Sequence, residues 1–273
     1  MVSRTERIFA YAFLTFFTLV ALFPLVGVML LALNPRDAAV TGFSLPEEFH
    51  WHTFVEAWEI AQLSTYMRTS AIVSFCVVVG TTVLSILGGY AFGTMQFRGR
   101  DWLFYVLMIG MILPTEAIVV PLYYDLRAVG LTNTYASLIL PQIALQVAFG
   151  TFWMRAYFRS VPKAMLEAAE VDGASSLQTL FRVALPPGKP AVLTLVVLVF
   201  MWSWNEFLIP LVMVTDEALR TAPLGLAFFA GQHTTDRIGQ AAAAVIVSAP
   251  VIIVFIIFQR SFIRGMAAGA VKE

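Results

Sequence analysis

Six stretches of this chain, at about residues 8–33, 67–95, 102–126, 135–157, 190–214 and 238–260, are long and apolar enough to cross a bilayer. A membrane helix needs roughly 20 mostly apolar residues. Lipid offers no partner for backbone N–H and C=O groups, so each span has to satisfy its own and is expected to be helical. Only 12% of the 273 residues are charged, against about a quarter in soluble domains, which leaves little material for a large water-soluble body. The expected fold is therefore an all-α integral membrane protein, a six-helix bundle in one domain of residues 1–273. The first stretch is too long for a secretory signal and has no small-residue cleavage site before Asn34 and Pro35, so it reads as a retained helix.

Net charge is zero, but its distribution is uneven. With the N-terminus inside, one side of the membrane holds Arg4, Arg7, Arg98, Arg100, Arg155, Arg159, Lys163, Arg182, Lys189, Arg260, Arg264 and Lys272, twelve of the 17 basic residues. The other keeps Arg36, Arg68, Arg127, Arg220 and Arg237. Short loops rich in Lys and Arg stay cytoplasmic, so both termini, the loop 158–189 and the tail 261–273 are expected inside the cell. Cys76 is the only cysteine, which excludes an internal disulfide and a thiolate metal set. His50 and His52 flank Trp51 without a third organised ligand, so no metal site is expected. Pro24, Pro114, Pro121, Pro141, Pro210 and Pro250 fall inside the spans and invite kinks. Small residues in the second span, Gly80, Gly88, Gly89, Ala91 and Gly93, would allow another helix to approach closely.

The polar loop between the fourth and fifth spans has local order of its own. Ser160 and Pro162 read as the cap and first turn of a helix running from Lys163 to Asp172. Gly173 follows as a left-handed terminator. Ser175 and Gln178 form a capping-box pattern that opens a second helix, with Leu177, Leu180, Phe181 and Ala184 at helical spacing. Leu185, Pro186 and Pro187 end it. A surface helix with a solvated acidic face is the alternative to a helix presented to a soluble partner.

Within this loop Glu167, Ala168 and Ala169 are followed after three residues by Gly173, then after nine by Val183, and after one more by Leu185 and Pro186. The spacing resembles the EAA motif of ATP-binding cassette importer permeases, with Val183 in place of isoleucine. Met111–Pro121 (MILPTEAIVVP), Gly130–Asn133 (GLTN), Val171–Gly173, Trp204–Phe207 (WNEF) and Gly269–Glu273 (GAVKE) extend the resemblance to the MalG-type permeases of carbohydrate importers. The resemblance implies the type I importer permease fold with a cytoplasmic coupling helix, in a bacterial inner membrane. It also implies three kinds of partner: a second, MalF-type permease, an ATPase dimer, and an extracytoplasmic solute-binding protein or lipoprotein. ATP and Mg would belong to the ATPase, and this chain would bind no cofactor. Its Gly188–Lys189 pair is followed by Pro190 and lacks the earlier glycine of a phosphate-cradling loop.

The resemblance also assigns roles. Glu167, Ala168, Ala169, Asp172, Gly173, Leu185 and Pro186 would couple to the ATPase, with Val271, Lys272 and Glu273 as secondary contacts. Polar residues within spans are costly and often functional. Glu116, Gln142, Gln146, Asn205 and Glu206 are therefore candidates to line a solute path, and Tyr123 and Trp202, with Trp204 beside them, join as aromatic surfaces for a sugar. Asn205 and Glu206 could instead tie helices together. The expected function is a permease subunit for a sugar, an oligosaccharide or a related polyol or glycerophosphodiester, with no catalytic residue. The rivals are a secondary transporter driven by an ion gradient and an integral membrane enzyme, for which no His and carboxylate cluster or serine elbow is present.

Overall fold

A computed structural model describes residues 3–38, 45–229 and 236–270, the last ten by backbone only. The helices are α1 (Arg4–Ala32), α2 (His52–Ile60), α3 (Leu63–Thr94), α4 (Arg100–Ile109), α5 (Thr115–Ala128), α6 (Tyr135–Ser160), α7 (Lys163–Val171), α8 (Ser176–Gln178), α9 (Lys189–Trp204), α10 (Leu208–Met213), α11 (Ala222–Gly225) and α12 (Arg237–Ala270). A π-helical segment, Thr179–Ala184, and a 3-10 turn, Pro186–Gly188, join α8 to α9. No strand occurs among the described residues. Among the described residues, five helices are long and apolar enough to cross a membrane: Arg4–Ala32, Leu63–Thr94, Tyr135–Ser160, Pro186–Trp204 and Arg237–Arg260.

The third expected span, 102–126, is not one helix. It divides into α4, with 10 residues, and α5, with 14. The break has a local cause. Pro114 cannot donate a backbone N–H, and its ring disfavours helical geometry at Leu113. The last turn of α4 tightens accordingly, Met111 N donating to Met108 O and Ile112 N to Ile109 O at 3.0 Å each. Pro114 then caps α5 in extended conformation. The fifth expected span, 190–214, is also interrupted, ending at Trp204 before the separate α10. Pro24, Pro121, Pro141 and Pro250 do lie within helices.

The chain forms two compact units, Met1–Ser64 with Gly225–Ala249, and Thr65–Leu224 with Pro250–Glu273. In the first, Ser3 and Glu6 close a capping box on α1, and no residue in the apolar window of that helix is buried, as a lipid-facing span would require. The end of α1 is pinned where Thr53 Oγ1 donates to Asn34 O at 2.9 Å and His50 N to Leu33 O at 2.9 Å. Arg36 pairs with Asp236 and lies 3.7 Å from Glu56. His52 sits one turn from Glu56, at 3.6 Å.

In the second unit Gly80, Gly88, Gly89 and Gly93 of α3 meet α6. A Cβ added at Gly89 would stand 2.4 Å from Met154 Cβ and 2.9 Å from Arg155 N, so only glycine lets the two backbones come this close. Met154, Phe158, Leu180, Leu195, Ile209 and Met213 form the buried centre. Asn133, left-handed at φ 59, ties the start of α6 to the end of α10. Its N donates to Met213 O at 3.0 Å, and its Oδ1 accepts from Thr215 N at 3.0 Å and Asp216 N at 2.9 Å.

Candidate functional site

The loop between α6 and α9 folds as a closed structure. Gly173 adopts φ +76, its N donates to Glu170 O at 3.0 Å, and Ala174 N donates to Ala169 O at 3.0 Å. These are the two bonds of a Schellman terminator, and they satisfy carbonyls that the end of α7 would otherwise leave open. Ser175 and Gln178 form the expected capping box, Ser175 N donating to Gln178 Oε1 at 2.8 Å. The cap expected from Ser160 is not formed. Ser160 is the last residue of α6, its hydroxyl donates to Tyr157 O at 2.6 Å, and Pro162 occupies the cap position of α7.

The second loop helix changes register after one turn. Pro186 and Pro187 have no N–H to give the carbonyls of Arg182 and Val183, and the backbone widens so that Leu185 N donates to Leu180 O, five residues back, at 2.8 Å. Tyr157 Oη donates to Ala184 O at 2.7 Å and anchors this segment to α6. Gly188 admits the Tyr157 ring, since a Cβ there would lie 2.4 Å from Tyr157 Cε1. Sequence reasoning missed Tyr157, which reads only as one more aromatic at a span end.

The expected coupling residues divide by exposure. Glu167, Ala168, Asp172, Gly173 and Pro186 face outward, and Leu185 is half-buried. Ala169 faces inward and is the buried residue of α7, so its role is to seat the helix within its own chain. The apolar residues of the second helix also separate. Leu180 and Ala184 are buried, whereas Leu177 and Phe181 are 60% and 54% exposed, and Val171 in α7 reaches 87%. Large apolar side chains at the surface of a polar loop are unexpected unless something covers them. Val271, Lys272 and Glu273 lie outside the described residues.

Five of the path candidates come together. Gln142, Gln146, Trp202, Asn205 and Glu206 line one cavity of about 390 Å³, formed by α6 and α9 with Thr115 at the start of α5 and Ile209 in α10. Gln142 is 1% exposed. Its Nε2 donates to Leu138 O at 2.8 Å, and its Oε1 and that of Gln146 are buried with no partner. A buried acceptor left open costs about 1–3 kcal/mol, and both of these oxygens belong to residues that line the cavity. Trp202 is 42% exposed and is held edge-to-face against Phe149 at 4.9 Å. Asn205 Nδ2 donates to Met201 O at 2.8 Å.

Glu206 has a structural task. Its Oε1 accepts from Leu208 N at 2.9 Å and Ile209 N at 3.0 Å, capping the first turn of α10. The remaining candidates are elsewhere. Glu116 is exposed in the first turn of α5 and does not line the cavity. Tyr123 packs against the buried centre, its ring 5.5 Å from that of Tyr124.

Comparison with known proteins agrees with this architecture. The chain is 35% identical over 263 residues to the probable ABC transporter permease protein YurM of Bacillus subtilis, covering 96% of this chain and 87% of that one. It is 34% identical over 209 residues to the trehalose/maltose transport system permease protein MalG of Thermococcus litoralis, covering 76% and 75%. Its fold is similar to a chain in the crystal structure of a bacterial ABC transporter involved in the import of the acidic polysaccharide alginate. That similarity has a TM-score of 0.80 at 24% identity and covers 96% of this chain and 99% of that one. Residues 85–268 match the family described as the binding-protein-dependent transport system inner membrane component. The span-length helices, the closed loop before the last two spans and this match together make the chain a member of that family of inner-membrane transport components.

Proposed function

We propose that this protein is the permease subunit of an ATP-driven importer for a neutral sugar or oligosaccharide. In this reading the cavity between α6 and α9 is part of the solute path. Sugars offer hydroxyl donors to open amide oxygens and an apolar face to an aromatic ring, which fits Gln142, Gln146 and Trp202. The lining contains the Glu206 carboxylate and no Lys, Arg or His. That favours an uncharged solute over the glycerophosphodiester considered from sequence, because a phosphate would meet a negative charge with no counter-charge in this half of the path.

The chain is read as one permease domain in which α4 and α5 act as a sixth, broken span. Their 24 residues together match a bilayer core that neither reaches alone. Both termini and the α7 loop would be cytoplasmic, by the excess of basic residues on that side. A solute-binding protein is the partner named by the family description. A second permease and an ATPase dimer carrying ATP and Mg complete the assembly. Val271, Lys272 and Glu273 remain second-rank candidates for contact with the ATPase.

The exposed apolar edge on the α7 loop carries the coupling assignment. Val171, Leu177 and Phe181 stand out from a polar, tightly closed loop beside the exposed Glu167 and Ala168, as a stiff element gripped by a soluble subunit would require. Replacing Leu177 and Phe181 with Asp is expected to abolish retention of the ATPase on the purified permease and to cut solute uptake about tenfold or more, since anchors of this kind dominate interfaces. Membrane insertion should be unchanged. ATPase retention and uptake at the level of the unmodified protein would overturn the assignment.

A further inference from the structure

A second cavity, of about 500 Å³, opens where α3 and α6 end and α4 and α7 begin. Arg100, Arg155, Arg159 and Lys163 face it, with Glu167 and Glu170 on its α7 wall. The cations are not neutralised by these carboxylates, neither of which forms an ion pair among the described residues. Asp101, which does not line the cavity, is shared, 3.1 Å from Arg100 and 3.9 Å from Arg155. Arg155 is held in place, its Nε donating to Phe92 O at 3.3 Å and its guanidinium lying 3.9 Å from the centre of the Phe104 ring. The side chains of Arg159 and Lys163 make no hydrogen bond or ion pair among the described residues. Arg155 and Arg159 are one turn apart on α6, an arrangement of like charges that destabilises a helix unless an anion lies between them.

The surroundings point to the source of that anion. On α4, directly after Arg100, Trp102 and Tyr105 are 67% and 69% exposed. Such rings settle at the headgroup level of a bilayer. Val106 and Ile109 continue the exposed face as apolar surface. A phosphate in the cavity could thus belong to a molecule whose hydrocarbon follows α4. Basic pockets between spans on the cytoplasmic side bind anionic headgroups in this way, and guanidinium groups match phosphate oxygens bidentately.

We infer that this cavity is a binding site for the phosphate of an anionic phospholipid, held chiefly by Arg159 and Lys163 with Arg155 and Arg100 behind them. Lys163 and Glu167 share one face of α7, so occupancy would also steady that helix. This consequence, unlike the binding itself, depends on the coupling role proposed above.

The test uses the full chain, delipidated and placed in phosphatidylcholine nanodiscs with increasing phosphatidylglycerol, with bound lipid counted by native mass spectrometry and stability followed by thermal melting. Phosphatidylglycerol should be retained and should raise the melting temperature. The double variant Arg159→Gln, Lys163→Gln should bind it at least about tenfold more weakly, while melting like the unmodified chain in phosphatidylcholine alone. The control variant Arg4→Gln, Arg7→Gln should retain it. Equal retention by both variants would reduce the lipid to a nonspecific annulus and overturn the site. A comparable shift from soluble glycerol 3-phosphate, without lipid retention, would overturn the lipid source. Release of the lipid when the ATPase subunits are added would assign the cavity to a protein segment instead.

Discussion

Single residues in this protein carry tasks that their chemistry alone does not reveal. Glu206 is the clearest case, a carboxylate in an apolar segment that both lines the cavity and caps α10. The two roles separate by substitution. Glu206→Ala removes the acceptor for two helix-starting N–H groups and should lower stability by about 1–2 kcal/mol, measured by thermal or denaturant unfolding in detergent. Glu206→Gln keeps an acceptor oxygen and should leave stability within about 0.5 kcal/mol, while lowering solute uptake severalfold if the carboxylate contacts the solute. Tyr157→Phe should cost about 1 kcal/mol by leaving Ala184 O without its donor. Glu206 and Asn205 were recognisable in the sequence as costly polar residues, but the capping bond was not, because it depends on where Pro210 and the break after Trp204 leave the backbone.

At the scale of elements, strong local signals survived folding and weak ones did not. Gly173 and the Ser175–Gln178 box sit where local chemistry requires them, since each satisfies backbone groups within a few residues of itself. Ser160 lost its expected cap because α6 continues through it and Tyr157 O takes its hydroxyl. Hydropathy could not divide the third span, as an average over about 20 residues does not register one Pro-terminated turn. Helical spacing likewise grouped Leu177 and Phe181 with Leu180 and Ala184, but the fold buries Leu180 and Ala184 and leaves Leu177 and Phe181 exposed. Gly173→Ala should cost about 1–2 kcal/mol for a side chain forced into left-handed geometry, with Gly173→Asn milder. Melting of the purified permease reads the cost, and solute-stimulated ATPase activity of the assembled transporter should fall in the same order.

For the whole molecule, the distribution of charge predicts an orientation that chemistry can check directly. Cys76 is the only cysteine, so Cys76→Ser supplies a background for single-site labelling. In that background Ser175→Cys should react with a membrane-impermeant maleimide only in inside-out vesicles, and Ala218→Cys only from the opposite face. Labelling of both from one side would overturn the proposed topology and, with it, the coupling role of the α7 loop.

Sequence alone determined that this chain is helical and lives in a membrane, because burial in lipid and backbone satisfaction act on each segment separately. It also located the loop that interrupts the hydrocarbon pattern, along with its terminator and capping box, whose bonds close over a few residues. Only the tertiary structure decided which polar residues meet. Gln142 and Gln146 on α6 and Trp202, Asn205 and Glu206 at the end of α9 share a cavity, whereas Glu116 and Tyr123, equally good candidates by composition, point elsewhere. The reason is geometric: how closely α3, α6 and α9 pack depends on glycines such as Gly89 meeting a backbone far away in the chain, a relation that no local pattern contains.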